Sequence, residues 1–192
     1  MIQDIFKVPI YEVQLDLDNK KLYNFYNNHQ TNNPSRVISN VGGYQSNDLD
    51  LSEPILRPLV QLIHFHSNIF VKEFIDKEQT LCNMWININS YKDNNRSHNH
   101  PGTGISGVYY VKTPTECGNI VFEHPAKDVF SYYFYRHYNS KHPKEFNEYN
   151  STSWFKPAVE NNLYLFPSWL NHFVEPNLNK TEKRISFSFN TL

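Results

Sequence analysis

After Thr80 the chain becomes a series of short alternating runs with no helical pattern between them, and this limits the folds open to it more than any other feature. Met84, Ile86 and Ile88 alternate with Trp85, Asn87 and Asn89, the two-residue period of a strand. Further strands are expected at Ile105–Lys112, Asn119–Glu123, Asn162–Phe166, His172–Glu175 and Arg184–Asn190. They are rich in Val, Ile, Phe and Tyr and are separated by Pro, Gly and Asn turns. Strands that follow one another without crossover helices pair antiparallel, so the architecture reads as mainly β, a jelly roll or barrel. Residues 126–156 interrupt the series with a Tyr-rich, polar insertion.

The first 79 residues read as support for that core. Residues 5–17 form an extended opening, Lys20–Asn28 a short helix, and Gly42-Gly43 a turn. From Ile55 to Ile75 the apolar residues Ile55, Leu56, Leu59, Ile63, Phe70 and Phe74 recur at helical spacing, with Ser52 as the expected N-cap. His64 and His66 fall inside this helix and read as packing or surface residues. At 192 residues the chain suits one domain, 1–192, divided into support (1–79) and core (80–192).

Composition removes several function classes. A net charge of −1 provides no field to attract nucleic acid or an anionic membrane. No apolar run approaches the roughly 20 residues of a membrane span, and the opening residues lack the pattern of a signal peptide. Two cysteines are too few for a disulfide framework or a thiolate zinc site. The expectation is a cytoplasmic protein, in a bacterium or in the host cell if the chain is viral.

Three of the nine histidines are placed to converge. In Ser97-His98-Asn99-His100-Pro101 two imidazoles two residues apart project to one side of an extended chain, and His172 lies near the opposite end of the strand series. Neutral imidazoles so arranged suit divalent iron, zinc or nickel, although a surface pair of loop histidines reads the same way. Beyond them, Arg184, Ser186 and Ser188 share one face of a strand whose other face carries Ile185, Phe187 and Phe189. A guanidinium and a hydroxyl near a metal fit one carboxylate, and a sandwich strand with its polar face to solvent has the same pattern.

The motifs Asn40-Val-Gly-Gly-Tyr-Gln-Ser46, Met84-Trp-Ile-Asn87, His98-Asn-His-Pro101, Ser106-Gly-Val-Tyr-Tyr-Val111, Gly118-Asn-Ile-Val-Phe122, Leu165-Phe-Pro-Ser-Trp-Leu-Asn-His172 and Arg184-Ile-Ser-Phe-Ser-Phe-Asn190 stand in an order and spacing that resembles the 2-oxoglutarate- and Fe(II)-dependent oxygenases of the prolyl-hydroxylase-like superfamily. The resemblance is closest to a branch common in marine bacteria and their phages. It implies a double-stranded β-helix, the cupin-like form of jelly roll, with the N-terminal helices packed on one sheet. It also implies Fe(II) as cofactor and 2-oxoglutarate as co-substrate with dioxygen, 2-oxoglutarate being decarboxylated to succinate and carbon dioxide as a substrate C–H bond is hydroxylated. His98 and His172 match the two histidine ligands. Arg184, with Ser186 beside it, matches the partner of the far carboxylate, and Tyr109 or Tyr110 adds a hydroxyl there.

One position departs from the family pattern. His100 stands where the superfamily places a carboxylate, so the third ligand is either His100 or Glu123 arriving from another strand. For substrate contacts the candidates are Trp85, Asn87, His124 and His137, and the substrate class expected is a peptidyl residue or a small metabolite. A cupin-type metal enzyme without 2-oxoglutarate, or a non-enzymatic jelly-roll module, are the rival readings. Exposed strand edges also leave room for a homodimer.

Overall fold

A computed structural model describes residues 3, 5–75, 77–137 and 145–192, the side chains of 133–137 excepted. The strands are β1 (Tyr11–Gln14), β2 (Asn40–Val41), β3 (Tyr44–Gln45), β4 (Leu81–Asn89), β5 (Asn94–His98), β6 (Ile105–Lys112), β7 (Asn119–Glu123), β8 (Ser153–Pro157), β9 (Asn162–Pro167), β10 (His172–Val174) and β11 (Arg184–Thr191). They form a six-stranded sheet, β1-β9-β6-β11-β4-β3, and a five-stranded sheet, β2-β5-β10-β7-β8. Every pairing is antiparallel, as expected for strands joined without crossover helices. The two sheets make a double-stranded β-helix.

The six-stranded sheet is buried on both faces, for different reasons. Its outer face carries Met84, Ile86, Ile88, Tyr109, Leu163, Leu165, Ile185, Phe187 and Phe189. Two helices cover it, α1 (Asn19–Asn32) through Leu22 and Tyr26, and α2 (Arg57–Val71) through Leu59, Ile63 and Phe70. The inner face meets the second sheet through Val108, Tyr110, Tyr164 and Phe166, against Ile120, Phe122 and Leu170. The polar face of β11 therefore lines the interior between the sheets, where a two-layer sandwich would have turned it to solvent.

The N-terminal residues do more than support. β1 and β3 form the two edges of the larger sheet, and β2 is an edge of the smaller one. The long helix starts at Arg57, later than Ser52 predicts, because Ser52 donates both its N–H (2.9 Å) and its hydroxyl (2.6 Å) to Asp50 Oδ1. That Asx turn uses up the cap, and Pro58 takes the first helical turn instead. Within the insertion, α3 (Lys127–His137) and β8 are ordered elements.

Candidate metal and anion site

Register places the functional side chains. Across β4, β11 and β6 the directly paired residues are Trp85–Ser188–Val108 and Asn87–Ser186–Tyr110, and Asn89 pairs with Arg184 at the next position inward. Residues opposite one another in a sheet share a face, so these rows line one side of a single cavity. The other side comes from the small sheet, where His172 on β10 pairs directly with His98 on β5 and with Phe122 on β7. Ser39, Asn95, Ile120, Phe166 and Val174 close the lining.

At the open end, His98, His100 and His172 each bring a ring nitrogen within 4.8 Å of the other two. His98 Nδ1 lies 2.6 Å from the Arg96 carbonyl and His172 Nδ1 lies 2.9 Å from the Leu170 carbonyl. A carbonyl only accepts, so both rings carry hydrogen on Nδ1 and present an Nε2 lone pair. His100 follows β5, its N–H donating to the Ser168 carbonyl at 2.9 Å, and its Nε2 sits 3.4 Å from that of His172. Two nitrogens each about 2.1 Å from one ion would span such a distance.

Burial keeps these rings neutral. Desolvation, followed by the charge His98 would carry, lowers His172 to about 3 and His100 to about 4, and desolvation also lowers His98. The apo protein should therefore lose stability as pH falls. Below about pH 6.5 the unfolded chain takes up protons that the folded rings refuse until about pH 4, so stability rises with pH across that window. A loss on the order of 4 kcal/mol between pH 7.5 and pH 5, about 2 kcal/mol from each of His100 and His172, is expected in urea unfolding of the metal-free protein. A flat profile would mean that the imidazoles are more hydrated than their packing implies.

At the inner end stands Arg184, 1 % exposed. Its Nη1 donates to the carbonyls of Cys117 and Glu175, the latter at 3.1 Å, while Nη2 is buried with no partner among the described residues. Gly118 makes this cradle possible. Its φ is +80°, and a Cβ there would lie 2.7 Å from the carbonyl oxygens of Glu175 and Pro176. Desolvation lowers the Arg184 pKa, opposed by nearby Tyr110, Cys117, Glu175 and Asp93. Among the described residues no carboxylate bonds the guanidinium. Tyr110 is pushed well up by its own burial and stays a neutral phenol facing the same space. Asn87 donates to Ser188 Oγ at 2.9 Å and leaves its own Oδ1 buried and, among the described residues, unpaired.

Of the residues singled out from the sequence, His98, His100, His172, Tyr110, Arg184, Ser186, Trp85 and Asn87 meet around this cavity. Tyr109 does not. A bulge in the β6–β11 ladder pairs it with Phe187 on the outer face, where its hydroxyl bonds Asn19 (2.7 Å) and Asn161 (3.0 Å). Glu123 also points elsewhere, since its neighbour Phe122 takes the inward position, and its carboxylate is held by Lys127 and Ser97 at 2.7 Å each. His124 lines a separate surface groove with Glu123 and Trp154, its ring packed on Phe130. His137 ends α3, and its side chain lies outside the described residues. His64 pairs with Glu78 and His66 with the Tyr11 hydroxyl, away from the cavity. Sequence reading missed Ser39, Asn89 and Asn95, whose polar surroundings resemble any loop.

The family model described as "Putative 2OG-Fe(II) oxygenase" matches residues 83–190, more than half of the chain. No curated protein matches by sequence. Among solved structures, a Pseudomonas putida prolyl-4-hydroxylase is similar over 96% of this chain and 92% of its own, at 11% identity and a TM-score of 0.61. The epimerase SnoN from nogalamycin biosynthesis, solved with Fe3+, alpha ketoglutarate and nogalamycin RO, aligns over 96% and 79% at 13% identity, with a TM-score of 0.64. A Trichoplax adhaerens prolyl hydroxylase in complex with a hypoxia inducible factor peptide aligns over 95% and 83% at 11% identity, with a TM-score of 0.59. At such identities these likenesses concern the fold alone.

Proposed function

The chain belongs to the 2OG-Fe(II) oxygenase family, and from that premise we propose that it is a non-haem Fe(II)- and 2-oxoglutarate-dependent dioxygenase that hydroxylates a peptidyl residue or a small metabolite. The observation that carries this reading is the unpartnered Nη2 of Arg184, buried in the same cavity as three neutral imidazoles. A buried charge with a free donor is costly unless an anion completes it. A dicarboxylate reaching from a metal to that donor satisfies both ends of the cavity.

His98, His100 and His172 would hold the iron. Three neutral ligands leave its charge uncompensated until 2-oxoglutarate arrives, which favours an anionic chelate. When bound, iron and 2-oxoglutarate would together supply dioxygen-activating chemistry, in which one oxygen atom of O2 enters the substrate as a hydroxyl and the other enters succinate as carbon dioxide leaves.

The protein's own groups do the positioning. Arg184 Nη2 takes the far carboxylate, with the Ser186 and Tyr110 hydroxyls as further donors. Val108, Ile120 and Phe166 flank the space between and keep it dry, which strengthens each polar contact at its ends. The carbonyls of Arg96 and Leu170 fix two imidazoles in the ligating tautomer. Trp85 and Asn87 lie in successive rows on β4, with Trp85 packed against His100, and would meet a substrate at the metal.

Anaerobic titration of the apo protein with Fe(II), then with 2-oxoglutarate, tests the reading. A visible charge-transfer band is expected only when both are present. Tight metal binding without the band would remove 2-oxoglutarate from the assignment, and no metal binding would remove the enzyme.

A further inference from the structure

The three histidines are not held alike. His98 and His172 are anchored through Nδ1 to backbone carbonyls, whereas among the described residues Nδ1 of His100 has no hydrogen-bond partner. The backbone of His100 is fixed by Ser168 and by Thr103, whose hydroxyl donates to the His100 carbonyl at 2.9 Å. Its ring is held by its neighbours' rings and by the 3.4 Å approach of its Nε2 to that of His172. The His172 ring lies with centroids 5.2 Å apart and planes 12° from parallel, and His98 meets the His100 ring edge-on at 5.1 Å. Trp85 packs against it with centroids 5.7 Å apart and planes tilted by 32°.

Trp85 is itself clamped. The Arg36 guanidinium sits 5.7 Å from its ring centroid, within cation–π range, and Arg36 Nη2 bonds Asp48 Oδ1 at 2.9 Å. Arg36 is tied to β3 by its N–H, which donates to the Gln45 carbonyl at 2.9 Å, and β3 pairs with β4 beside Trp85. Arg36, Trp85 and His100 thus form one stack running from the surface segment at residues 35–39 to the metal site.

We propose that Trp85, clamped by Arg36, is the positioning residue for His100, and that His100 is the adjustable ligand of the triad. The proposal rests on the reading of the three histidines as a metal site. A ring with no hydrogen bond from Nδ1 to the backbone can turn away from a metal without breaking a backbone anchor, while His98 and His172 cannot. Movement of the Arg36 segment would reach the metal through this stack.

The test uses Cu(II), with pulsed EPR to count coordinated imidazoles, and Co(II) titration to measure affinity. Wild type and Trp85→Phe should show three imidazoles, because Phe keeps an aromatic face. Trp85→Leu should show two, with Co(II) affinity reduced about 10- to 100-fold. Arg36→Gln, a change at the outer end of the stack that leaves the cavity intact, should weaken Co(II) about 2- to 5-fold. Neither loss should add to that of His100→Ala. Three imidazoles in Trp85→Leu, or losses that add fully to His100→Ala, would overturn the proposal. If His100→Ala binds as wild type does, His100 is no ligand and the proposal fails with the metal site intact. If wild type binds neither ion, the metal site itself fails.

Discussion

His172→Ala lowers the affinity for Fe(II), or for Co(II) as its stand-in, by at least about 100-fold, measured by anaerobic titration. Removing a group that merely supports a metal ligand costs 10- to 100-fold, and losing the ligand must exceed that. His172 is the least replaceable of the three. It is 4 % exposed, its tautomer is set by the Leu170 carbonyl, and its ring packs 4.6 Å from that of Phe166. The two remaining imidazoles, His98 and His100, lie two residues apart in one segment of the chain. The fold should survive, because β10 is held by backbone pairing to both β5 and β7. The cost to the apo protein is the Leu170 carbonyl left without its donor and the ring's lost packing, about 1–3 kcal/mol in thermal unfolding. His64→Ala, at an exposed helix position, is the control that should change neither quantity. Metal affinity within threefold of wild type in His172→Ala would end the three-histidine assignment.

The sequence was legible where burial differs between the two faces of a strand. β4, β6 and β11 alternate because one face lies under α1 and α2 and the other lines the cavity, so period and chemistry coincide. β5 carries Asn94-Asn-Arg-Ser-His98 with no apolar residue at all. It is held by backbone pairing to β2 and β10, which leaves no pattern in its side chains. β8 is an edge strand with an exposed Phe155, and its alternation reports nothing about a core. Adjacent Tyr109 and Tyr110 are indistinguishable until a bulge fixes which one shares a face with Ser186. Glu123 is decided by its neighbour, since Phe122 occupies the inward position. Chemistry-bearing residue types were visible in the sequence, but their facing depended on register. Register is a tertiary property wherever strands of distant origin pair.

Arg184→Met, an unbranched apolar replacement, weakens 2-oxoglutarate binding by roughly 100-fold, or about 3 kcal/mol, and leaves Fe(II) affinity unchanged. The loss follows from the geometry. Arg184 Nη2 is a buried donor with no partner among the described residues, so its whole bonding capacity is free for a ligand, while Nη1 is spent on the Cys117 and Glu175 carbonyls. Lysine cannot stand in, because a single ammonium cannot serve two fixed carbonyls and an anion in the directions a planar guanidinium offers. Arg184→Lys should therefore recover less than a tenth of the lost affinity. Stability separates a role in ligand binding from one in structure. In wild type, 2-oxoglutarate at 100 times its Kd adds about 2.7 kcal/mol, seen as a raised Tm, and in Arg184→Met at the same concentration that rise should nearly vanish. Without ligand the two proteins should unfold within a few degrees of each other. Arg184→Met gives up two hydrogen bonds to carbonyls but relieves the fold of a desolvated charge that no carboxylate of the described residues bonds, and these effects oppose one another. A deep drop in the apo Tm with the ligand-induced rise intact would make Arg184 a structural residue whose anion is the protein's own backbone. The opposite pattern, an unchanged apo Tm with the rise abolished, ties the buried charge to a dicarboxylate and leaves the three histidines to define where its other end must lie.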